Sequence, residues 1–346
     1  MASALSLFSG AGGDTLGLEE AGYTVVAFSE RMAPAIATHL AHFPTSVHLR
    51  TATSADLTAL PDDLLASHPV SLVFAGFPCQ GFSHAGKKRS SDPRNQLYLQ
   101  WVRAARLLRP TWILGENVPG LATMASGPNP SDPPMLRVIL DAMEALGYHM
   151  SYKVLDARTY GVPQARRRLF LVGCRVPLPV DFWTRVERHA CAPPAPRTFL
   201  RPTLEGAWRL DPSTVPEGFD RVALPVPSAL QPTGDAHPYV AVKARQSLLS
   251  CGKRISAYHS EVIDPDQPCK TIICTYAHQP RLLVGLRSPD GTCWVRPLLI
   301  PELLQIQGFP PDYPLQGNLK DQIVQVGNAV PPPCVRALAR TCLDAS

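Results

Sequence analysis

The sequence predicts an α/β fold, a mostly parallel twisted sheet with helices on both faces, joined to a smaller irregular domain. Three observations carry this. Ala4–Phe8 is a short apolar run, glycines follow at 10, 12 and 13, and Thr15–Gly22 then reads as a short helix. Strand, glycine turn and helix in that order open a nucleotide-type βαβ unit. Short apolar runs and helical-period stretches alternate from there to Cys174. From Pro177 the rhythm breaks: prolines stand at 177, 179, 193, 194, 196, 225, 227 and 232. The chain therefore divides into 1–177, an irregular 178–295, and a final 296–346 that returns to the first part.

The bulk composition excludes several classes. With 346 residues, 45% of them hydrophobic, the chain can bury a sizeable core. No apolar stretch approaches the ~18–20 residues of a membrane span. Met1–Phe8 lacks a basic region before its apolar run, so it does not read as a signal peptide. Nine cysteines, an odd number with no Cys-x-x-Cys pair, suggest reduced thiols and a cytoplasmic setting. A net charge of +5 permits a polyanionic partner without demonstrating one.

Taken in order, the elements place chemistry at strand ends. Gly10, Gly12 and Gly13 let backbone amides approach a ligand, although Thr15 stands where a dinucleotide fingerprint needs its third glycine. Thr24–Phe28 is a second strand, and Glu30 at its end is placed either to accept ribose hydroxyls or to cap the next helix, Ala33–Phe43. Asp56 ends a third weak strand; it either reaches an adenine amino group or serves a turn. Val70–Ala75 is a buried strand that leads into Gly76-Phe-Pro-Cys-Gln80. Pro78 stiffens this loop. Cys79 is either a nucleophile above the sheet or an inert buried thiol.

Ser83–Arg94 is polar and basic, and Lys87, Lys88, Arg89 and Arg94 are placed to meet phosphates or to be solvated. Asn95–Leu108 has a helical period, with Leu97 among its apolar positions. Thr111–Leu114 is the next strand, and Glu116 at its end is a candidate acid. A helix over Pro133–Leu146 precedes strands at Tyr148–Ala157 and Arg168–Cys174. Gln164, Arg166 and Arg168 alternate, so in an extended segment they point one way. In the irregular region, Lys243, Arg245, Lys253 and Arg254 are a candidate nucleic-acid surface. Cys269, Cys274 and His278 lack a second matching pair, so no metal is expected. Arg296–Pro310 reads as a helix stopped by Gly308, Gly327-Asn328 as a tight turn, and Cys334–Leu343 as the last helix.

Six blocks occur in order: Phe8-Ser-Gly-Ala-Gly-Gly13, Gly76-Phe-Pro-Cys-Gln80, Glu116-Asn-Val118, Gln164-Ala-Arg-Arg-Arg168, Gln307-Gly-Phe-Pro310 and Gly327-Asn-Ala-Val330. Together they closely resemble the C5-cytosine-specific DNA methyltransferase family. The resemblance runs from residue 5 to about 340 and leaves out only about 178–295, where that family varies.

It implies a Rossmann-like domain that binds S-adenosylmethionine, a small target-recognition domain, and double-stranded DNA in the cleft between them. By motif, Cys79 is the nucleophile, Glu116 the acid at the cytosine, and Arg166 and Arg168 lie in the base pocket. Phe8, Gly10, Gly12, Glu30, Asp56, Pro78, Leu97, Asn328 and Val330 resemble the cofactor shell. Gln80, Ser83, Lys87, Arg94, Gln164, Lys243, Arg245, Lys253 and Arg254 are the residues expected to meet DNA. A monomer in a bacterial cytoplasm is expected, with a cognate restriction endonuclease as an open partner. Three positions depart from the family pattern: Met32, where an acid is common, Ala55 and Asn95. Two rivals remain: a tRNA-methylating branch, whose Cys-Phe-Thr element is missing here, and an inactive DNA-binding relative, disfavoured by Cys79, Glu116 and Arg166.

Overall fold

The computed structural model describes residues 2–78, 96–127, 129, 131–228 and 230–345. The chain opens with β1 (Ala2–Leu7), α1 (Gly13–Glu20), β2 (Tyr23–Ser29), α2 (Ala33–His42), β3 (Val47–His48), α3 (Asp62–Leu65) and β4 (Leu72–Ala75). It continues through α4 (Tyr98–Leu108), β5 (Trp112–Asn117), α5 (Met135–Glu144), β6 (His149–Asp156), β7 (Gln164–Ala165) and β8 (Arg167–Cys174). Seven of these strands form one sheet in the order β3-β2-β1-β4-β5-β8-β6. The first five are parallel, and β8 runs antiparallel to both its neighbours.

Side-chain alternation explains why this sheet is covered on both faces. Ala4, Leu72, Phe74, Trp112, Leu114, Phe170 and Val172 face one core. Leu5, Leu7, Val73, Ala75, Ile113, Leu169 and Leu171 face the other. The strands therefore read as continuous apolar runs, as buried parallel strands do. The second core takes its helical cover from α4 and α5, through Trp101, Ala104, Ile139 and Met143.

The rest of the chain supplies α6 (Phe182–Glu187), β9 (Trp208–Arg209), α7 (Phe219–Val222), β10 (Leu224–Pro225), α8 (Pro238–Arg245), β11 (Leu249–Cys251), β12 (Ser260–Val262) and β13 (Cys269–Lys270). It ends with β14 (Leu282–Arg287), β15 (Cys293–Pro297), α9 (Ile300–Gln307), α10 (Leu319–Asn328) and α11 (Pro332–Asp344). The region expected to be irregular holds a second sheet, ordered β11-β12-β14-β15-β9, with β10 on β14. Its strands are two to six residues long, most of them too short to show a period in the sequence.

The first core takes its helical cover from α1, α6 and α11, the last through Val335, Leu338 and Cys342. The approach of α11 to α1 is close enough to require glycine. A Cβ on Gly17 would collide with the Pro332 carbonyl oxygen.

Three local expectations are corrected. Arg296 lies in β15 rather than opening a helix. Its guanidinium is fully buried against Glu302, whose carboxylate also accepts the Leu299 N–H at 2.7 Å and so starts α9. Gly327-Asn328 is the last turn of α10, not a free turn. Glycine is needed there because a Cβ would stand 2.6 Å from the Cys274 backbone nitrogen. Asp56 ends no strand; the third strand is β3, and Asp56 caps a 3₁₀ turn at Leu57–Ala59.

Gly17→Ala is expected to destabilise the protein by about 1–3 kcal/mol, because α11 cannot retreat without opening the core. A chemical denaturation midpoint well below the parent's checks it.

Candidate active site

The sheet reverses its strand order at β1. The chain runs outward from β1 to β2 and β3, then returns to place β4 on the other side. Open α/β sheets bind ligands at the carboxyl ends of strands at such a switch. Two loops meet there, Phe8–Gly12 after β1 and Gly76–Pro78 after β4. A Cβ on Gly76 would lie 3.4 Å from Val330 and 3.8 Å from the Phe8 carbonyl oxygen, so the two loops and the stretch before α11 converge.

The first loop is sharply bent. Phe8 has φ +59°, rare for a residue with a side chain, and Gly10 and Gly12 have φ +57° and +86°. The Gly10 N–H donates to Glu30 Oε2 at 2.9 Å. Glu30 Oε1 accepts the N–H groups of Arg31 and Met32, both at 2.8 Å. Glu30 thus ties the first loop to the end of β2. A Cβ on Gly10 would meet nothing within 4 Å, so the turn has an open side.

The second loop is tied to β5. Asn117 Nδ2 donates to the Phe77 carbonyl at 3.1 Å. Beside it on β5, Glu116 is buried and pairs with Arg168, Nε to Oε1 at 3.0 Å. Burial raises the Glu116 pKa, and the charges of Arg168 and Arg166 oppose that rise. A carboxyl group held this way can keep a proton at a higher pH than an exposed one.

Behind this pair lies a buried polar knot. Gln164 Nε2 donates to the Ile306 carbonyl at 3.1 Å and to Gln307 Oε1 at 2.6 Å, and Gln164 Oε1 accepts the Ile272 N–H at 2.9 Å. Gln307 Nε2 donates to the Ala329 carbonyl at 2.6 Å. Arg166 donates to the carbonyls of Ile272 at 3.2 Å, Gly327 at 3.2 Å and Ala329 at 2.9 Å. β13 adds a short parallel pairing to β7. The knot draws the last α10 turn and the 272 segment against the strand that carries Arg168.

A family model described as C-5 cytosine-specific DNA methylase matches residues 2–207 and 243–344. The chain belongs to this family. The type II methyltransferase M1.HphI of Haemophilus parahaemolyticus is 31% identical over 362 residues, covering 98% of this chain and 86% of that one. M.PspPI of Psychrobacter sp. is 32% identical over 347 residues, covering 95% and 76%. In fold, the S. pombe Dnmt2 methyltransferase superposes with a TM-score of 0.67 at 16% identity, covering 100% of this chain and 99% of its own. An E. coli prophage-encoded protein described as a DNA modification methyltransferase gives 0.68 at 22% identity, covering 99% of both chains. The family transfers a methyl group from S-adenosylmethionine to C5 of cytosine, and this chain is a DNA cytosine-5-methyltransferase.

Within this methyltransferase the structure gathers some of the expected residues and separates others. Phe8, Gly10, Gly12, Glu30, Gly76 and Val330 lie at or next to the switch, with Pro78 following on the β4 loop. Asp56 binds the Thr58 N–H at 2.9 Å and hydroxyl at 2.8 Å, which lowers its pKa. Leu97 caps α4 and is half-buried, whereas Asn328 is exposed at the end of α10. Cys79, Gln80, Ser83, Lys87 and Arg94 lie outside the described residues.

Gln164, Arg166 and Arg168 do lie on one side of their segment, with Arg167 exposed between them, but that side faces the interior. Gln164 is fully buried and spends its amide on the knot, so it does not face DNA. Arg166 is also buried and braces backbone carbonyls, while Arg168 alone of the three reaches Glu116 as an ion pair. Lys243 donates to the Tyr258 carbonyl at 2.8 Å and lies 5.4 Å from the Tyr239 ring centroid. Arg245 stacks 4.7 Å over Trp208. Lys253 is exposed and Arg254 half-exposed. Sequence reasoning missed Asn117 and Gln307 as positioning groups. The available signal was at Gln307, a polar residue beside Ile306 on the side of α9 that the helix period buries.

Gln164→Leu is expected to cost about 2–4 kcal/mol of stability, since it strands Gln307 and the Ile272 N–H. Because its side chain is internal, the slope of DNA affinity against salt should stay as in the parent.

Proposed function

We propose that the methyl acceptor is a cytosine flipped out of a specific duplex sequence and held during the reaction by a bond from Cys79 to its C6. The observation that supports this best is the buried Glu116–Arg168 pair at the end of β5. β5 neighbours β4, and the loop after β4 leads to Cys79 in sequence. In a stacked duplex none of the reacting atoms is accessible, so extrusion of the base is required.

Cytosine C5 is too weak a nucleophile to take a methyl group unaided. Addition of the Cys79 thiolate at C6 pushes electron density to C5. Glu116, its pKa raised by burial, gives its proton to N3, and Arg168 stabilises charge at O2. Arg166 keeps the wall behind them in place. Once C5 carries the methyl group, loss of the C5 proton to a base, expulsion of the thiolate and return of the N3 proton to Glu116 restore the enzyme and leave 5-methylcytosine.

The residues at the β1 turn fit S-adenosylmethionine: an open glycine face, a strained Phe8 and the Glu30 carboxylate stand together. When bound, this group supplies an electrophilic methyl. Phe8, Gly10, Gly12 and Glu30 would hold it, with Gly76, Pro78 and Val330 closing the far side.

We assign 1–177 to catalysis, 178–295 to target recognition and 296–346 to a hinge and return segment, with DNA between the first two. Lys253, Arg254 and Arg245 are offered for phosphate contact. The relatives named as type II methyltransferases support a restriction–modification setting with a cognate endonuclease. No helix among the described residues is long and apolar enough to cross a membrane.

The test is transfer of tritiated methyl from the donor to duplex DNA, with transfer RNA as a control. Cys79→Ser should lose at least about 1,000-fold in rate. Labelling at the parent rate would end the assignment. The acid form of Glu116 is the working form, so the parent rate should fall as pH rises through its raised pKa. Glu116→Gln should be slow and lack that limb.

A further inference from the structure

Five buried side chains lie under the β1 turn, and the reading above gives them no role. Asp14 accepts from Ser6 through Oδ2 and from Ser9 through Oδ1, the latter at 3.0 Å. The Ser9 hydroxyl meets Thr15 Oγ1 at 3.2 Å, which meets His39 Nε2 at 3.0 Å. Ser6, Ser9, Asp14, Thr15 and His39 are all buried. His39 stacks on Phe28 at 3.6 Å, and its Nδ1 has no partner among the described residues. Among the described residues no cation pairs with Asp14.

Ser9 is the residue around which the turn closes. Its N–H donates to the Ser29 carbonyl at 3.0 Å, its carbonyl accepts the Gly12 N–H at 2.9 Å, and positive φ angles flank it at Phe8 and Gly10. With Asp14 ionised, every donor in the chain points at the carboxylate: His39 to Thr15, Thr15 to Ser9, Ser9 and Ser6 to Asp14. A proton on Asp14 breaks that pattern. The acid must then donate, either displacing the Ser6 hydroxyl or reversing the Ser9–Thr15–His39 direction and moving the imidazole proton to Nδ1.

We propose that Asp14 is a positioning residue for the methyl donor, whose ionised form locks Ser9 and thereby the glycine turn. This rests on the reading that the β1 turn holds that donor. Burial pushes the Asp14 carboxyl up to about 6 and pulls His39 down to about 3, so His39 stays neutral while Asp14 titrates. The other titratable groups on the surrounding elements are Glu19 on α1, His42 on α2, Glu30 after β2, His48 on β3, and Asp312 and Tyr313 between α9 and α10.

The test is calorimetric binding of S-adenosylhomocysteine to the full chain between pH 7 and pH 5, where the ligand's own groups hardly change charge. The parent should lose roughly tenfold in affinity on acidification, a coupling of about one pKa unit between ligand and proton. Asp14→Asn, which mimics the protonated acid, should bind weakly at every pH with a flat profile. Ser9→Ala should also bind weakly and lose the slope, and serves if Asp14→Asn does not fold. A flat parent profile, or a slope kept in Asp14→Asn, overturns the proposal while leaving the donor site intact. Absence of binding by the parent, or binding unaffected by Phe8→Ala, would instead overturn the donor site itself.

Discussion

The fold of this methyltransferase depends on a set of buried hydrogen bonds around Gln164, Arg166 and Gln307. These side chains come from two distant parts of the sequence and bind backbone groups of Ile272, Ile306, Gly327 and Ala329. Without them, the return of α10 and α11 to the sheet would leave several backbone carbonyls desolvated and unpaired, each at a cost of about 1–3 kcal/mol. With them, Val330 comes to rest beside Gly76 and Phe8. The cofactor turn, the β4 loop and the C-terminal segment are thus fixed by one polar centre rather than by three separate loops.

The same centre shapes the charge at Glu116. Burial pulls the Arg166 pKa down, yet a guanidinium stays protonated in a protein, so a positive charge persists behind Arg168. Arg166 Nε has no partner among the described residues, which marks the knot as incompletely satisfied on that side. Glu116 feels both arginines and the desolvation that opposes them. A second buried pair behaves differently. Arg296 and Glu302 satisfy each other and also bind Arg201, Thr203, Pro297 and Leu299 backbone groups, so that pair is a closed joint. Closed buried pairs fix geometry more than they add stability.

The first half of the fold was legible because apolar runs and glycine turns set it locally. Strands at Trp112–Asn117, His149–Asp156 and Arg167–Cys174, and helices at Ala33–His42 and Met135–Glu144, fall where periodicity put them. What failed involved contacts remote in sequence. Gly327 looked like a turn because glycine is a poor helix residue, but it sits in α10 to let Ile273 and Cys274 approach. Gln164 was expected to meet DNA because alternation in an extended segment assigns a side and not a destination. Arg296 looked helical because the buried carboxylate of Glu302 lies six residues on and across a bend. At the site, the described parts of the motif blocks come close together around the β1 turn and the polar centre, while the division of labour among Gln164, Arg166 and Arg168 needed burial to be seen.

The most direct test of the polar centre is a double-mutant cycle on unfolding free energy with Gln164→Leu, Gln307→Leu and the pair. Two residues that share one buried bond should couple by about 1–3 kcal/mol, the double variant losing much less than the sum of the singles. Strict additivity would mean that the two amides act independently, and that the centre does not join the sheet to the C-terminal segment.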